Sequence, residues 1–363
     1  MEPVNPTILI IGGGLGGLCL AQGLLKAGHA LREICCSVEL GETDINAPDG
    51  SILASRAGGS FAMKGLKLYT CDRTVLRDIL IHGLSDYIHY SKELVRYEIV
   101  NGGVTAHFHD GSIASGSFLV GADGSGSVTR KQFLPDHLPL NTEGLSIYGK
   151  TPITKELLER FPTSAMRWMT LVLDRTPMTQ TLDIDDTVVT LLLEPIRFPK
   201  KGDRFDQYTP PDYIYWVLIA RKHIFGLKAN VELSKYTVDE VAEISLRITD
   251  CWDPSLRSIL HLQDKTQSSF LRILSADPNM KAWQSTDKIT IIEDACHVMS
   301  PCGGVGAVTS LVDGANLAKT IVNKGISIEN ISEFEQAMRE SAKLSILRSY
   351  TGGRKMFGQK PFD

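Results

Sequence analysis

The stretch Ile8-Leu9-Ile10-Ile11-Gly12-Gly13-Gly14-Leu15-Gly16-Gly17 decides how the rest of the chain is read. Four consecutive apolar residues predict a strand buried on both faces. The glycines that follow fall at G-x-G-x-x-G on Gly12, Gly14 and Gly17. The first permits a tight turn, the second lets backbone N–H groups reach an anion, and the third lets the next helix lie close to the strand. Leu18, Ala21 and Leu25 then recur at helical spacing, and Gly28 stands where that helix would stop. Strand, glycine turn and helix in this order predict a cradle for the diphosphate of a dinucleotide. The plainer alternative is a tight turn with no ligand.

Composition narrows the class. With 363 residues the chain is long enough for two domains or one domain carrying an insertion. Its 42 acidic and 38 basic residues leave a net charge of −4, which offers no general attraction to nucleic acid. No apolar run reaches the length of a membrane span, and no basic leader precedes the first strand. The seven cysteines, at positions 19, 35, 36, 71, 251, 296 and 302, show no metal-ligand spacing and suit reduced thiols in the cytoplasm.

Further along, residues 29–65 give no clear period. Residues 73–83 predict a helix with Leu76, Ile79 and Leu80 on one face. Residues 87–120 predict a three-stranded meander whose turns are Asn101-Gly102 and Asp110-Gly111, with Ser117–Val120 as its last strand. Strand-like runs at Ser146–Tyr148, Thr187–Leu193 and Tyr213–Ala220, with a helix at Val238–Ile248, predict a sheet-and-helix region over 143–273. The chain then returns with a short strand, Ile289–Ile292, the pair Glu293-Asp294 and the loop Pro301-Cys302-Gly303-Gly304-Val305-Gly306. The next helix is expected to bury Val308, Leu311, Val312, Ala315 and Val322. A final helix is expected over about 330–348, followed by a mobile tail.

GGGLGG, GADGSGS at 121–127 and EDACHVMSPCGGVGA at 293–307 occur in one order. That arrangement resembles the class A flavin monooxygenases, the fold of salicylate and para-hydroxybenzoate hydroxylases, and is most similar to fungal FAD-dependent monooxygenases of secondary metabolism. The resemblance implies an α/β fold: a Rossmann-like FAD/NAD(P)-binding domain (1–142 and 274–330), an inserted mixed-sheet substrate domain (143–273) and a C-terminal helix and tail (331–363). It also implies FAD as cofactor and NAD(P)H as co-substrate. A small organic molecule, aromatic or polyketide-like, would be hydroxylated or epoxidised. The alternatives are a flavin oxidoreductase without oxygen insertion and a truncated, silent homologue. No catalytic residue is assigned, because the flavin carries the chemistry.

By the same resemblance, Gly12, Gly14 and Gly17 would hold the FAD diphosphate and Arg73 would reach the cofactor. Asp123 belongs to a DG motif serving FAD. Asp294 would bond the ribityl chain, and Pro301, Gly304, Gly306 and Ala307 would pass the flavin ring. Read from residue chemistry alone, Asp294 could instead cap a helix, Asp123 could be a turn residue and Arg73 a solvated helix residue. The chain departs from the family at four places. The acid expected to end a second strand is Cys35, flanked by Glu33 and Glu39. Gly126 stands for an arginine, Glu293 for a glycine and Val308 for an asparagine. Phe198, Tyr213, Tyr215 and Trp216 are the aromatics available to line a substrate space.

Overall fold

The opening strand, Ile8–Ile11, pairs in parallel with Phe118–Gly121, which pairs in parallel with Ile289–Ile291. The computed structural model describes residues 6–25, 36–37, 42–56, 69–100, 102–174, 187–198, 210–228 and 232–362. The central strand is buried along its length because both its faces are covered. Phe118 and Val120 point into a cluster with Leu20, Leu317, Ala318, Ile331 and Phe334 from three helices, Leu15–Leu24, Gly306–Lys324 and Ile328–Phe357. Leu119, between them, points the other way with Ile289 into Leu94, Tyr97, Val104 and Ala106 of the meander.

The meander is made of Leu94–Val100, Gly103–Phe108 and Ile113–Gly116. Its last strand is therefore not Ser117–Val120. The exposed, alternating Ile113–Gly116 closes it, while the fully buried Phe118–Gly121 crosses into the parallel sheet. The second strand expected to end at Cys35 lies outside the described residues, as does Gly28. Among the described residues Ile8–Ile11 pairs with Phe118–Gly121 alone.

A second sheet has seven strands in the order Asp264–Ser275, Leu140–Pro152, Tyr213–Arg221, Thr190–Ile196, Met169–Leu173, Glu42–Asn46 and Ile52–Arg56. Its pairs are antiparallel except Met169–Leu173 with Glu42–Asn46, so the sheet is mixed. Two of its strands thus come from residues 42–56, grouped above with the first segment. One face packs Ile147, Leu191, Leu193, Ile214, Trp216 and Leu218 against helices Val238–Ile248 and Pro254–His261. The opposite face carries Tyr148, Leu171, Leu192, Tyr215 and Val217 and meets Cys302, Met356 and Phe357.

Three expectations about helix faces are corrected. Leu25 is 43% exposed, beyond the last turn of Leu15–Leu24. Val308, Val312 and Val322 are 61%, 41% and 47% exposed, whereas their helix buries Thr309, Ser310, Asp313, Gly314, Leu317, Ala318 and Ile321. Small residues win there because the helix crosses Leu15–Leu24 at backbone contact: a Cβ on Gly314 would stand 2.4 Å from the Gly16 carbonyl oxygen. The last helix runs to Phe357, and its end is packed rather than mobile. Phe357 is fully buried, and the Met356 carbonyl accepts a hydrogen bond from Thr190 Oγ1 at 2.8 Å.

Candidate functional site

The glycine turn is built as its spacing predicts. Gly12 holds φ +120°, and a Cβ there would stand 1.9 Å from the Ala122 carbonyl oxygen, so no other residue fits. Gly14 caps the helix Leu15–Leu24 without a side-chain hydrogen bond, which leaves the first-turn N–H groups to outside partners. That partner is Glu293. Its carboxylate accepts from the N–H groups of Gly16 and Gly17, at 3.3 Å each.

Glu293 is 6% exposed, and its backbone has φ +52°. Its own N–H donates to Asp313 Oδ2 at 3.1 Å, and the same oxygen lies 2.5 Å from His297 Nε2. Burial, then Asp294 and Asp313, push the Glu293 carboxyl up to about 7 against the pull of the two glycine amides. Burial disfavours the charged His297, but Asp313 outweighs it and holds that pKa above the ordinary value. The histidine and aspartate thus form a buried pair that pins Glu293–His297 onto Gly306–Lys324.

Asp123 is engaged by its own loop. Its carboxylate accepts from Ser127 Oγ at 2.5 Å and from the N–H groups of Val128 and Thr129 at 2.8 and 3.1 Å. It thereby closes the turn before helix Val128–Phe133. Near Gly126, where the resemblance implies an arginine, a different arginine crosses the gap. Arg130, 3% exposed, donates to the carbonyls of Ser125 at 2.9 Å and Ala295 at 3.3 Å, joining the Asp123 loop to the Asp294 turn. Its position, in the helix rather than the loop, gave no signal to spacing.

At the other end the site is open. Gly304 holds φ +62° with nothing within 4 Å of where a Cβ would lie. The helix starting at Gly306 has Val305 as its cap and no side-chain hydrogen bond. Pro301 begins the short turn before it. Asp294 is solvent-exposed yet lies in a recess: crowding by protein atoms raises its pKa, with His297 and Arg73 opposing. Arg73, also exposed, acts electrostatically on both Asp294 and Tyr215.

The sheet face carrying Tyr215 sets beside it two polar groups the sequence reading did not single out, Lys150 and Glu194. Lys150, Tyr215 and Glu194 lie abreast on three neighbouring strands. Burial pushes the Tyr215 phenol up to about 12 and raises the Glu194 carboxyl, which accepts a hydrogen bond from Thr70. Asp72 caps the helix Arg73–Ile81 through the N–H groups of Thr74 and Val75, and also takes hydrogen bonds from Lys150 Nζ at 2.7 Å and Tyr213 OH at 2.6 Å. Burial would raise its pKa, but Lys150 and Tyr213 outweigh burial and hold it below the ordinary value. An aspartate immediately before a helix was the legible signal for this residue. Of the four aromatics, Tyr215 lies on the sheet face that meets Cys302 and Phe357, and Tyr213 serves Asp72, with the Phe198 ring against it at 6.2 Å. Trp216 does not line the cleft: it is fully buried on the opposite face and donates to Thr151 Oγ1 at 3.0 Å.

The donor set fits a dinucleotide flavin unequally. The ring end is uncapped and open, with Asp294 free to accept from hydroxyl groups. At the diphosphate end a carboxylate of the chain itself takes the amides a diphosphate needs.

No protein-family model matches the chain. It is 39% identical to the dual O-methyltransferase/FAD-dependent monooxygenase elcB of Phaeosphaeria nodorum over 98% of its own length and 46% of that relative. It is 40% identical to the dual O-methyltransferase/FAD-dependent monooxygenase CTB3 of Cercospora beticola, over 97% of the chain and again 46% of the relative. The chain therefore spans about half the length of these relatives. Among solved structures, an FAD-containing monooxygenase from Photorhabdus luminescens superposes with a TM-score of 0.76 at 25% identity, covering 96% of this chain and 98% of that one.

Proposed function

We propose that this chain, a homologue of the FAD-dependent monooxygenases, binds FAD and uses NAD(P)H and O₂ to hydroxylate or epoxidise an aromatic or polyketide-like small molecule. The observation that carries this reading is the open end of the site. The helix N-terminus at Gly306 is uncapped, Asp294 is accessible, Cys302 just ahead of that helix packs on the sheet face bearing Tyr148 and Tyr215, and Arg73 acts electrostatically on Asp294 and Tyr215. A reduced flavin supplies the activation of O₂ when bound.

The protein's part is to bind, orient and exclude water. Gly12 and Gly17 let strand and helix approach closely enough to leave a shallow anion cradle, and Gly14 lines it. The free N–H groups at Gly306 and Ala307 favour negative charge beside them. Asp294 suits a polyhydroxyl chain and would repel a phosphate, which fixes the direction in which a cofactor would lie. Pro301, Gly304, Gly306 and Ala307 then flank the ring. Asp123 supports this arrangement by bracing its loop. The domain division 1–142 with 274–330, 143–273 and 331–363 belongs to the same reading. A substrate would lie between the glycine loop and the face of Tyr148, Tyr215 and Glu194.

The test is spectroscopic. Protein purified from a riboflavin-replete host and desalted is expected to retain flavin absorbance, or to gain it on adding FAD. It is then expected to consume NAD(P)H faster with an aromatic substrate, placing one atom of labelled O₂ in the product. Substrate oxidation without label indicates a flavin oxidoreductase that inserts no oxygen. Colourless protein that holds no added FAD overturns the reading.

A further inference from the structure

Glu293 lies where the cofactor reading needs a diphosphate, and two observations besides the helix terminus bear on it. A Cβ on Gly14 or Gly16 would come within 3.3 or 3.0 Å of the Glu293 carboxyl group, so this side chain fills the surface those glycines leave bare. The residue also holds φ +52°, a conformation that disfavours any side chain, so contacts rather than backbone preference keep it there.

Deepening the FAD reading and resting on it, we propose that Glu293 is an internal competitor for the cofactor's diphosphate, holding the helix N-terminus in the empty protein and yielding it when the dinucleotide binds. Two anions cannot share the amides of Gly16 and Gly17 without strong repulsion, because the surrounding charge is already unfavourable. Asp294 and His297 stand on the same turn, and Asp313 faces it from Gly306–Lys324, paired with His297. The helix Leu15–Leu24 brings no charged side chain, only Cys19, whose thiol burial pushes up. From Arg73–Ile81, Arg73 acts on Asp294, and Arg77 Nε donates to the Gly13 carbonyl at 3.1 Å.

The consequence is a proton coupled to binding. In place the carboxyl titrates at about 7, and displaced into solvent it returns to the ordinary carboxylate range, so binding releases a proton. The competitor therefore holds hardest when neutral, and dinucleotide affinity rises by up to about tenfold per pH unit as pH climbs toward 7, then levels.

Fluorescence titrations of the intact chain with FAD at about pH 6 and about pH 8.5 test this in wild type, Glu293→Gln and Glu293→Gly. Riboflavin, which lacks phosphate, serves as the probe of the ring end. Wild-type FAD affinity is expected to tighten on the order of tenfold across the interval, while both variants stay within about twofold. At the lower pH Glu293→Gly is expected to bind FAD about tenfold tighter than wild type, with riboflavin affinity equal in all three. FAD bound by the variants alone is the extreme form of the same result. Equal FAD affinity and equal pH slope in three folded proteins overturns the competitor, as does weaker binding by both variants. Glu293→Gln keeps the side chain's shape and guards against loss of fold in Glu293→Gly. No FAD binding by any of the three, at either pH, overturns the cofactor reading itself and the competitor with it, a pattern distinct from the others.

Discussion

Among the described helices that begin with a carboxylate against their first N–H groups, two hold that carboxylate under opposite conditions. Asp72 is the residue before its own helix, Arg73–Ile81, and carries Lys150 and Tyr213 as partners. Glu293 reaches the helix Leu15–Leu24 from 276 positions away and has Asp294 and Asp313 for neighbours. The first pKa is lowered and the second raised to about 7. A cap with its own counter-charges is structure, whereas an anion lodged among anions is held weakly enough to be replaced. A third helix, Gly306–Lys324, has no side chain at its start and completes the series.

The comparison can be broken most severely at the turn beneath Glu293. Gly12→Val places a side chain into the Ala122 carbonyl at φ +120° and is expected to destabilise the protein by about 4 kcal/mol or more, seen as loss of the cooperative thermal transition. Asp72→Ala removes a helix cap and leaves Lys150 without its partner. A loss of about 3 kcal/mol is expected in urea unfolding, with Asp72→Asn losing less because the cap survives.

The signs of the pH dependence sharpen the contrast. The lowered Asp72 pKa contributes stability that is present above the unfolded value and lost as pH falls through the folded one. For Glu293 the folded value is raised from 4.5 to about 7. Its contribution is full below the lower figure and disappears as pH rises through the higher, by at most about 3 kcal/mol. Unfolding measured across that window is expected to slope downward in wild type and to flatten in Glu293→Gln. A difference curve with no slope would remove Glu293 from the account.

The smallest effect belongs to the open terminus. Val305→Ser adds a cap residue, but φ −120° and ψ −9° lie outside the extended geometry a cap side chain needs. A gain of no more than about 0.5 kcal/mol in thermal unfolding is expected.

What the sequence reveals here follows from how local each cause is. The glycine turn, the strand Ile289–Ile291 and the helix Val238–Ile248 are read correctly because their signals sit within a dozen residues. The α/β architecture with a mixed sheet follows from their order. The buried face of Gly306–Lys324 was misread because apolar spacing identifies a face that seeks a core, and this helix meets its neighbour through glycine and polar residues. Glu293 was legible as an intrusion near the phosphates, but the glycine amides that receive it are set by a crossing of distant segments. Lys150, Glu194 and Tyr215 came together only through strand register, which no local pattern encodes.

The C-terminal helix spans 30 residues, about 45 Å, and ties two sheets with one member. Its body rests on the parallel sheet through Ile331, Phe334 and Met338, and its last turn is seated in the mixed sheet through Met356 and Phe357. It works as a beam set into both sheets. A continuous helix resists bending over such a span, so the two sheets are held together by a length. Shortening this beam by a single turn would unseat its Met356–Phe357 end from the mixed sheet.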